Sequence, residues 1–151
     1  MVSAESLFLY LYDMYVIKQK HRKYYFNYDD GMVRAEANLI KSVLMNLLDN
    51  AFKASEADGL IEVYGHLMKD GYRFEVKDHG VGIPKEELHK ITKAFYMVDK
   101  SRSRSRNGAG LGLALCAEIL ELHKSRLNIR SELGKGTTMS FTLPLWKEDQ
   151  L

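Results

Sequence analysis

Cysteine is almost absent. Cys116 is the only one among 151 residues, so no disulfide can close within the chain and no cysteine cluster can hold zinc. A lone thiol in an apolar stretch reads as a small buried hydrophobe, and a reducing compartment fits it. Proline is scarce too, with two residues, which excludes a proline-rich linker. No run reaches the ~18 apolar residues of a membrane span; the most apolar stretch, Leu7 to Ile17, is broken by Asp13. The positive start and small-residue cleavage pattern of a secretory leader are missing. Neither sign of charge dominates: 22 basic against 20 acidic residues leave +2, so bulk charge points neither toward nucleic acid nor away from it.

What is present describes one globular domain. Hydrophobic residues make up 46% and charged residues 28%, an ordinary balance for a chain long enough to bury one core. Apolar residues at helical spacing predict a helix over 4–19. An aromatic strand follows over 24–28. Ile40, Val43, Leu44, Leu47, Leu48 and Ala51 form one face of a long helix predicted over 33–54. Strands over 59–68 and 72–77 flank a hairpin turn at Lys69-Asp70-Gly71. Pro84 suits the start of a short helix containing Glu86 and Glu87. Residues 96–108 read as a loop, 111–122 as a helix, and 127–130 and 138–143 as strands joined by Gly134-Lys135-Gly136. Hairpins mixed with helices, without a regular βαβ repeat, favour an α+β two-layer sandwich: one mixed, mostly antiparallel sheet with helices on one face.

Three groups of residues could carry chemistry. Asn46, Asn50 and Lys53 are spaced four and three apart, so they share one side of the long helix, roughly opposite its apolar stripe. Asparagine is a poor helix former. A pair of amides here is either solvent decoration or a source of oxygen ligands for Mg²⁺ beside phosphates. Asp78 ends an apolar strand and opens Asp78-His79-Gly80-Val81-Gly82-Ile83. A carboxylate there either starts a turn or accepts a hydrogen bond from an exocyclic amine such as that of adenine. Gly80 and Gly82 allow tight turns or close approach of a ligand. Gly108, Gly110 and Gly112 lead into the helix at Leu111 and Leu113, where helix-start amides attract phosphate. No Gly-Lys-Ser/Thr follows, so this is not a Walker loop. It lacks the preceding strand of a dinucleotide fingerprint. Lys100, Arg102, Arg104 and Arg106 precede it, as a solvated loop or as contacts to phosphate or RNA. His79 reads as a variable turn residue. Nothing has zinc-ligand spacing.

In order and company these segments resemble the ATP-binding catalytic domain of bacterial sensor histidine kinases, from about Asp29 to Leu145. Asn46 to Ala54 is similar to that family's asparagine box, and Asp78 to Ile83 to its first glycine box. Phe95-Tyr96 matches the phenylalanine segment. Asp99 to Leu113 matches the lid and second glycine box, and Gly134 to Thr138 the last glycine box. The resemblance implies the Bergerat-type ATP-binding fold shared with gyrases, mismatch-repair ATPases and heat-shock chaperones, with ATP and Mg²⁺ as cofactors. It implies that Asn50 holds the Mg²⁺ carried by ATP, with Asn46 nearby, and that Lys53 holds phosphate or the adenine edge. Asp78 would bind the adenine amine, and Gly80, Gly82 and Ile83 would shape the base pocket. Phe95 and Tyr96 would contribute to the nucleotide site. Lys100 and Arg104 would contact phosphate from a lid over 97–108. Gly108, Gly110, Leu111, Gly112 and Leu113 would start the helix beneath it. Thr137 or Thr138 would close the adenine side.

Two departures separate the chain from the hydrolytic members of that superfamily. These place a water-activating glutamate four residues before the metal-binding asparagine, where this chain has Asn46. They commonly carry an acidic residue three after it, where this chain has Lys53. The resemblance therefore implies protein-histidine kinase activity, with Asn50, Lys53, Lys100 and Arg104 at the reacting phosphates. The acceptor would be a histidine on a separate dimerisation domain, with a response regulator as the further partner. His21 lacks the acceptor pattern, so residues 1–28 are expected to lead in from that missing domain, 29–146 to form the ATP-binding core, and 147–151 to be a tail. No nucleic-acid or direct membrane contact is expected. The expected setting is the cytoplasmic domain of a parent that can be membrane-anchored. An anti-sigma-type serine kinase and an ATP-binding regulatory module without transfer activity are the alternatives.

Overall fold

The computed structural model describes residues 1–18, 22–91 and 112–147. After the short strand β1 (Val2–Ser3), helix α1 (Ala4–Leu11) starts with the Ser3 hydroxyl accepting the Ser6 amide at 3.3 Å. It continues into a π-helical segment, Tyr12–Ile17. Next come β2 (Lys23–Tyr28), β3 (Met32–Val33), helix α2 (Ala37–Ala54), β4 (Leu60–Met68) and β5 (Gly71–Asp78). A 3₁₀ turn, Lys85–Glu87, follows Pro84. Helix α3 (Gly112–Leu122), β6 (Asn128–Glu132) and β7 (Gly136–Leu143) complete the order.

The main sheet has five strands in the order β2-β4-β5-β7-β6. Only β2 and β4 run parallel; the other three pairs are antiparallel. This is the mixed, mostly antiparallel sheet expected from the pattern. Its faces differ because strand side chains alternate. Ile61 and Val63 on β4, Phe74 and Val76 on β5, and Met139 and Phe141 on β7 are buried under the helices. Glu62, Tyr64 and His66, with Arg73, Glu75 and Lys77, occupy the other, polar face. Phe74 is the hinge of the core: its ring lies 5.7 Å from Phe8, 4.9 Å from Tyr72 and 5.1 Å from Phe141. Phe8 also stacks on Tyr28 at 4.4 Å, so α1 and β2 share the core of the remaining chain.

Two helix boundaries differ from the sequence reading. The long helix begins at Ala37 rather than 33, because Met32–Val33 pairs with Val2–Ser3, and Val33 bridges to Leu145. Backbone spent on strand pairing cannot enter a helix. Glu36 is the N-cap, its carboxylate accepting the Leu39 amide at 2.9 Å. The first helix is α-helical only to Leu11. In the π-helical stretch Tyr15 stays buried, its hydroxyl 3.0 Å from Asp49 Oδ1 and 3.2 Å from the Met45 carbonyl on α2.

The helices α2 and α3 pack along each other and are joined at one end by His123. The Glu36 amide donates to His123 Nε2 at 3.1 Å, which leaves Nδ1 to donate to the Ile119 carbonyl at 2.8 Å. No helix among the described residues is long and apolar enough to cross a membrane.

Phe74→Ala is expected to lower unfolding stability by about 3–5 kcal/mol, the range for losing a buried aromatic ring. Urea denaturation followed by circular dichroism measures it. A loss below about 1 kcal/mol would mean that the stacked rings do not organise this core.

Candidate functional site

Those predicted residues that the structure describes lie toward one end of the sheet. Strand β5 delivers Asp78 at its last position, facing the helix layer, with 6% of its surface exposed. One oxygen, Oδ1, accepts two backbone amides: Gly80 at 2.9 Å and Thr137 at 3.2 Å. Among the described residues Oδ2 accepts none, so it is left for another donor. Burial raises the Asp78 pKa above the usual carboxylate range; the two amides and the nearby His79 oppose that rise.

The following turn is held on both sides. The Val81 amide donates to the Ala54 carbonyl, the last residue of α2, at 3.1 Å. The Gly134 amide donates to the Val81 carbonyl at 2.7 Å, and Ile83 donates to Ser131 Oγ at 2.7 Å. Gly82 and Gly136 have φ of +74° and +108°, a region that side chains disfavour. A Cβ on Gly80 would fall 2.0 Å from the Ala54 carbonyl oxygen, one on Gly82 2.2 Å from that of Glu132, and one on Gly136 2.2 Å from that of Asp78. The close approach these glycines permit is therefore of protein backbone.

Helix α2 forms the opposite wall. Asn46, Asn50 and Lys53 are half-buried rather than solvent-facing, and Asn46 lies beside the start of α3. Asn46 Nδ2 donates to the Ser42 carbonyl at 2.9 Å. Its Oδ1 points to the start of α3, where a Cβ on Gly112 would lie 3.0 Å away. Leu113 packs against the core. The Asn50 amide makes no hydrogen bond among the described residues, so its oxygen is available to a ligand. Lys53 sits in the last turn of α2, where a cation is favoured by the helix dipole.

The two threonines separate. Thr137 is 5% exposed and lies on the Asp78 side, its Oγ1 2.8 Å from Ser131 Oγ. Thr138 pairs in register with Lys77 and Arg130, on the polar face of the sheet. Alternation along β7 thus leaves Thr137 as the one beside the carboxylate. Phe95, Tyr96, Lys100, Arg104, Gly108, Gly110 and Leu111 lie outside the described residues.

Sequence reasoning missed Ser131. Its hydroxyl accepts from Ile83, donates to the Gly136 carbonyl at 3.0 Å and meets Thr137, so it joins both glycine segments. Nothing in its sequence neighbourhood marks it; only the register of β6 on β7 does. A separate groove of about 1090 Å³, lined by Arg34, Lys69, His123, Lys124 and Arg126 among others, lies at the opposite end of the sheet and includes none of the predicted residues.

Comparison with known proteins identifies the family and the fold. Residues 35–147 match the family described as histidine kinase-, DNA gyrase B-, and HSP90-like ATPase. The chain is 38% identical over 122 residues to the non-motile and phage-resistance protein of Caulobacter vibrioides, covering 78% of this chain and 14% of that protein. It is 36% identical over 137 residues to the sensor histidine kinase WalK of Bacillus subtilis, covering 88% of this chain and 22% of that one. It thus spans between about a seventh and a quarter of these two relatives. The nucleotide-free catalytic domain of histidine kinase ThkA superposes with a TM-score of 0.81 at 27% identity, over 95% of each chain.

The raised Asp78 pKa has a consequence for stability. Between the unfolded and the folded pKa the folded chain binds more protons than the unfolded one, so this group's contribution falls as pH rises through that window. Asp78→Asn keeps the acceptor for Gly80 and Thr137 and removes the buried charge. Its thermal midpoint is expected above wild type at pH 7, with the gap closing toward pH 4. A lower midpoint at pH 7 would contradict this.

Proposed function

Given that this chain belongs to the histidine kinase-, DNA gyrase B-, and HSP90-like ATPase family, as an ATP-binding catalytic domain of the sensor histidine kinase type, we propose that it transfers the γ-phosphoryl group of ATP to a histidine on a separate dimerisation domain. The observation that carries the reading is the state of Asp78: a buried carboxylate whose Oδ1 is filled by Gly80 and Thr137 while Oδ2, among the described residues, accepts no hydrogen bond. That geometry suits one donor, such as the exocyclic amine of adenine. Such a bond is charge-assisted and dry, so it discriminates strongly.

From Asp78 the nucleotide's phosphates would extend toward Asn46, Asn50 and the start of α3. The donor set there fits Mg²⁺. Among the described residues the Asn50 amide oxygen accepts no hydrogen bond, and no cluster of three or more His, Cys, Asp or Glu side chains could hold a metal. Mg²⁺ commonly takes few protein ligands and completes its shell with phosphate oxygens and water. When bound, it would supply charge neutralisation at the β and γ phosphates. Asn50 would hold that charge in place, and Lys53 would add a cation at the phosphate end of the pocket.

The acceptor imidazole is itself the nucleophile. Its nitrogen forms the new bond to the γ phosphorus, the bond from that phosphorus to the bridging oxygen breaks, ADP leaves, and the imidazole proton passes to solvent. The domain then needs to position and stabilise charge rather than supply a strong base. Asn46, standing where hydrolytic relatives have a glutamate, is consistent with that. Residues 1–28 are read as the lead-in from the dimerisation domain and the response regulator as the final phosphoryl acceptor. The reaction belongs on the cytoplasmic side.

Calorimetric titration with a non-hydrolysable ATP analogue and Mg²⁺ tests the reading. Saturable binding is expected for wild type. Asp78→Asn should raise Kd by about 10- to 100-fold, the value of a hydrogen bond to a charged group. Asn50→Ala should bind in a way that responds less to Mg²⁺ and should not transfer phosphate to a histidine domain. Folded wild type that binds no nucleotide would remove the kinase assignment and leave the fold.

A further inference from the structure

We propose that His79 and Glu62 are positioning residues for the nucleotide base: a clamp on the outer face of the sheet that holds the Asp78-His79-Gly80 turn from behind. The proposal rests on the reading that Asp78 receives the base. Asp78 and His79 are neighbours in the chain but leave β5 on opposite faces. Asp78 enters the helix layer. His79 turns to the polar face, where Nε2 lies 2.6 Å from Glu62 Oε2. Glu62 belongs to β4 and stands in register with Lys77, directly behind the site.

The carboxylate is itself anchored. Glu62 Oε1 accepts the Tyr64 hydroxyl at 2.5 Å, and the Tyr64 ring stacks on His66. Glu62 has 15% of its side chain exposed, whereas His79 has 46%. Burial works against the charge on Glu62, but the hydrogen bonds from Tyr64 and His79 and the charge of Lys77 prevail and hold its pKa below the ordinary range. The pair therefore fixes a flexible turn to a rigid central strand. If His79 swings, the peptide linking it to Asp78 turns with it, and Oδ2 loses its aim.

The test is titration of the chain with the non-hydrolysable ATP analogue and Mg²⁺, and with the matching GTP analogue, for wild type, Glu62→Ala, His79→Ala and the double variant. Thermal unfolding checks that each is folded. Glu62→Ala and His79→Ala should each raise Kd for the ATP analogue about threefold to tenfold, as expected for one lost hydrogen bond. Each should also narrow the preference for the ATP analogue over the GTP analogue. The double variant should be no worse than either single one, because both remove the same contact. Additive effects, or an unchanged preference between the two analogues, would overturn the clamp. So would unchanged Kd in folded variants. Asp78→Asn distinguishes the two readings. If it abolishes binding while Glu62→Ala and His79→Ala do not weaken it, only the clamp fails. If wild type binds no nucleotide, both fail.

Discussion

One buried carboxylate oxygen organises this end of the molecule. Asp78 Oδ1 gathers the amides of Gly80 and Thr137, and so ties the end of β5, the turn after it and the start of β7 to a single point. The turn is in turn pinned to the last carbonyl of α2 through Val81 and to the β6–β7 hairpin through Gly134 and Ser131. A carboxylate taken out of water is stabilised only by such donors. The same burial that raises its pKa gives any donor that reaches Oδ2 a dry, strongly attractive partner. Stability and recognition pull in opposite directions at one residue, as is common at functional sites.

The sheet separates two kinds of work. Its covered face carries the aromatic stack around Phe74 and ends at Asp78. Its polar face carries the Glu62–Tyr64–His79 network, behind the same turn. Because consecutive residues of a strand point to opposite faces, two adjacent positions can serve the two faces at once. Helices α2 and α3 complete the covered face. Asn46 stands beside the start of α3, and at their far ends the two helices are joined through Glu36 and His123.

Much of the fold was legible because its signals are local. The apolar face of α2, the alternation in β4, β5 and β7, and the hairpin glycines each declare themselves within a dozen residues, and the sheet has the mixed, mostly antiparallel form they imply. The four residues lost from the start of the long helix were not legible, since Met32–Val33 becomes strand only by pairing with Val2–Ser3 and Leu145. Ser131 was invisible for the same reason: a serine in a short strand carries no pattern, and only register sets it beside Ile83, Gly136 and Thr137. His79 looked like a variable turn residue because its partner lies 17 positions earlier.

By itself, then, the order of residues determined most of the element types and the family, and it marked Asp78, Asn46, Asn50 and the glycines as candidates for one site. These depend on periodicity and motif, which are properties of neighbours along the chain. Tertiary structure alone decided what each of them faces. It assigned the space beside Gly80 and Gly82 to protein backbone, chose Thr137 over Thr138 by the parity of β7, and half-buried the amides of α2. Those outcomes depend on strand register and helix packing between distant segments, where a shift of one residue would turn every side chain to the other face.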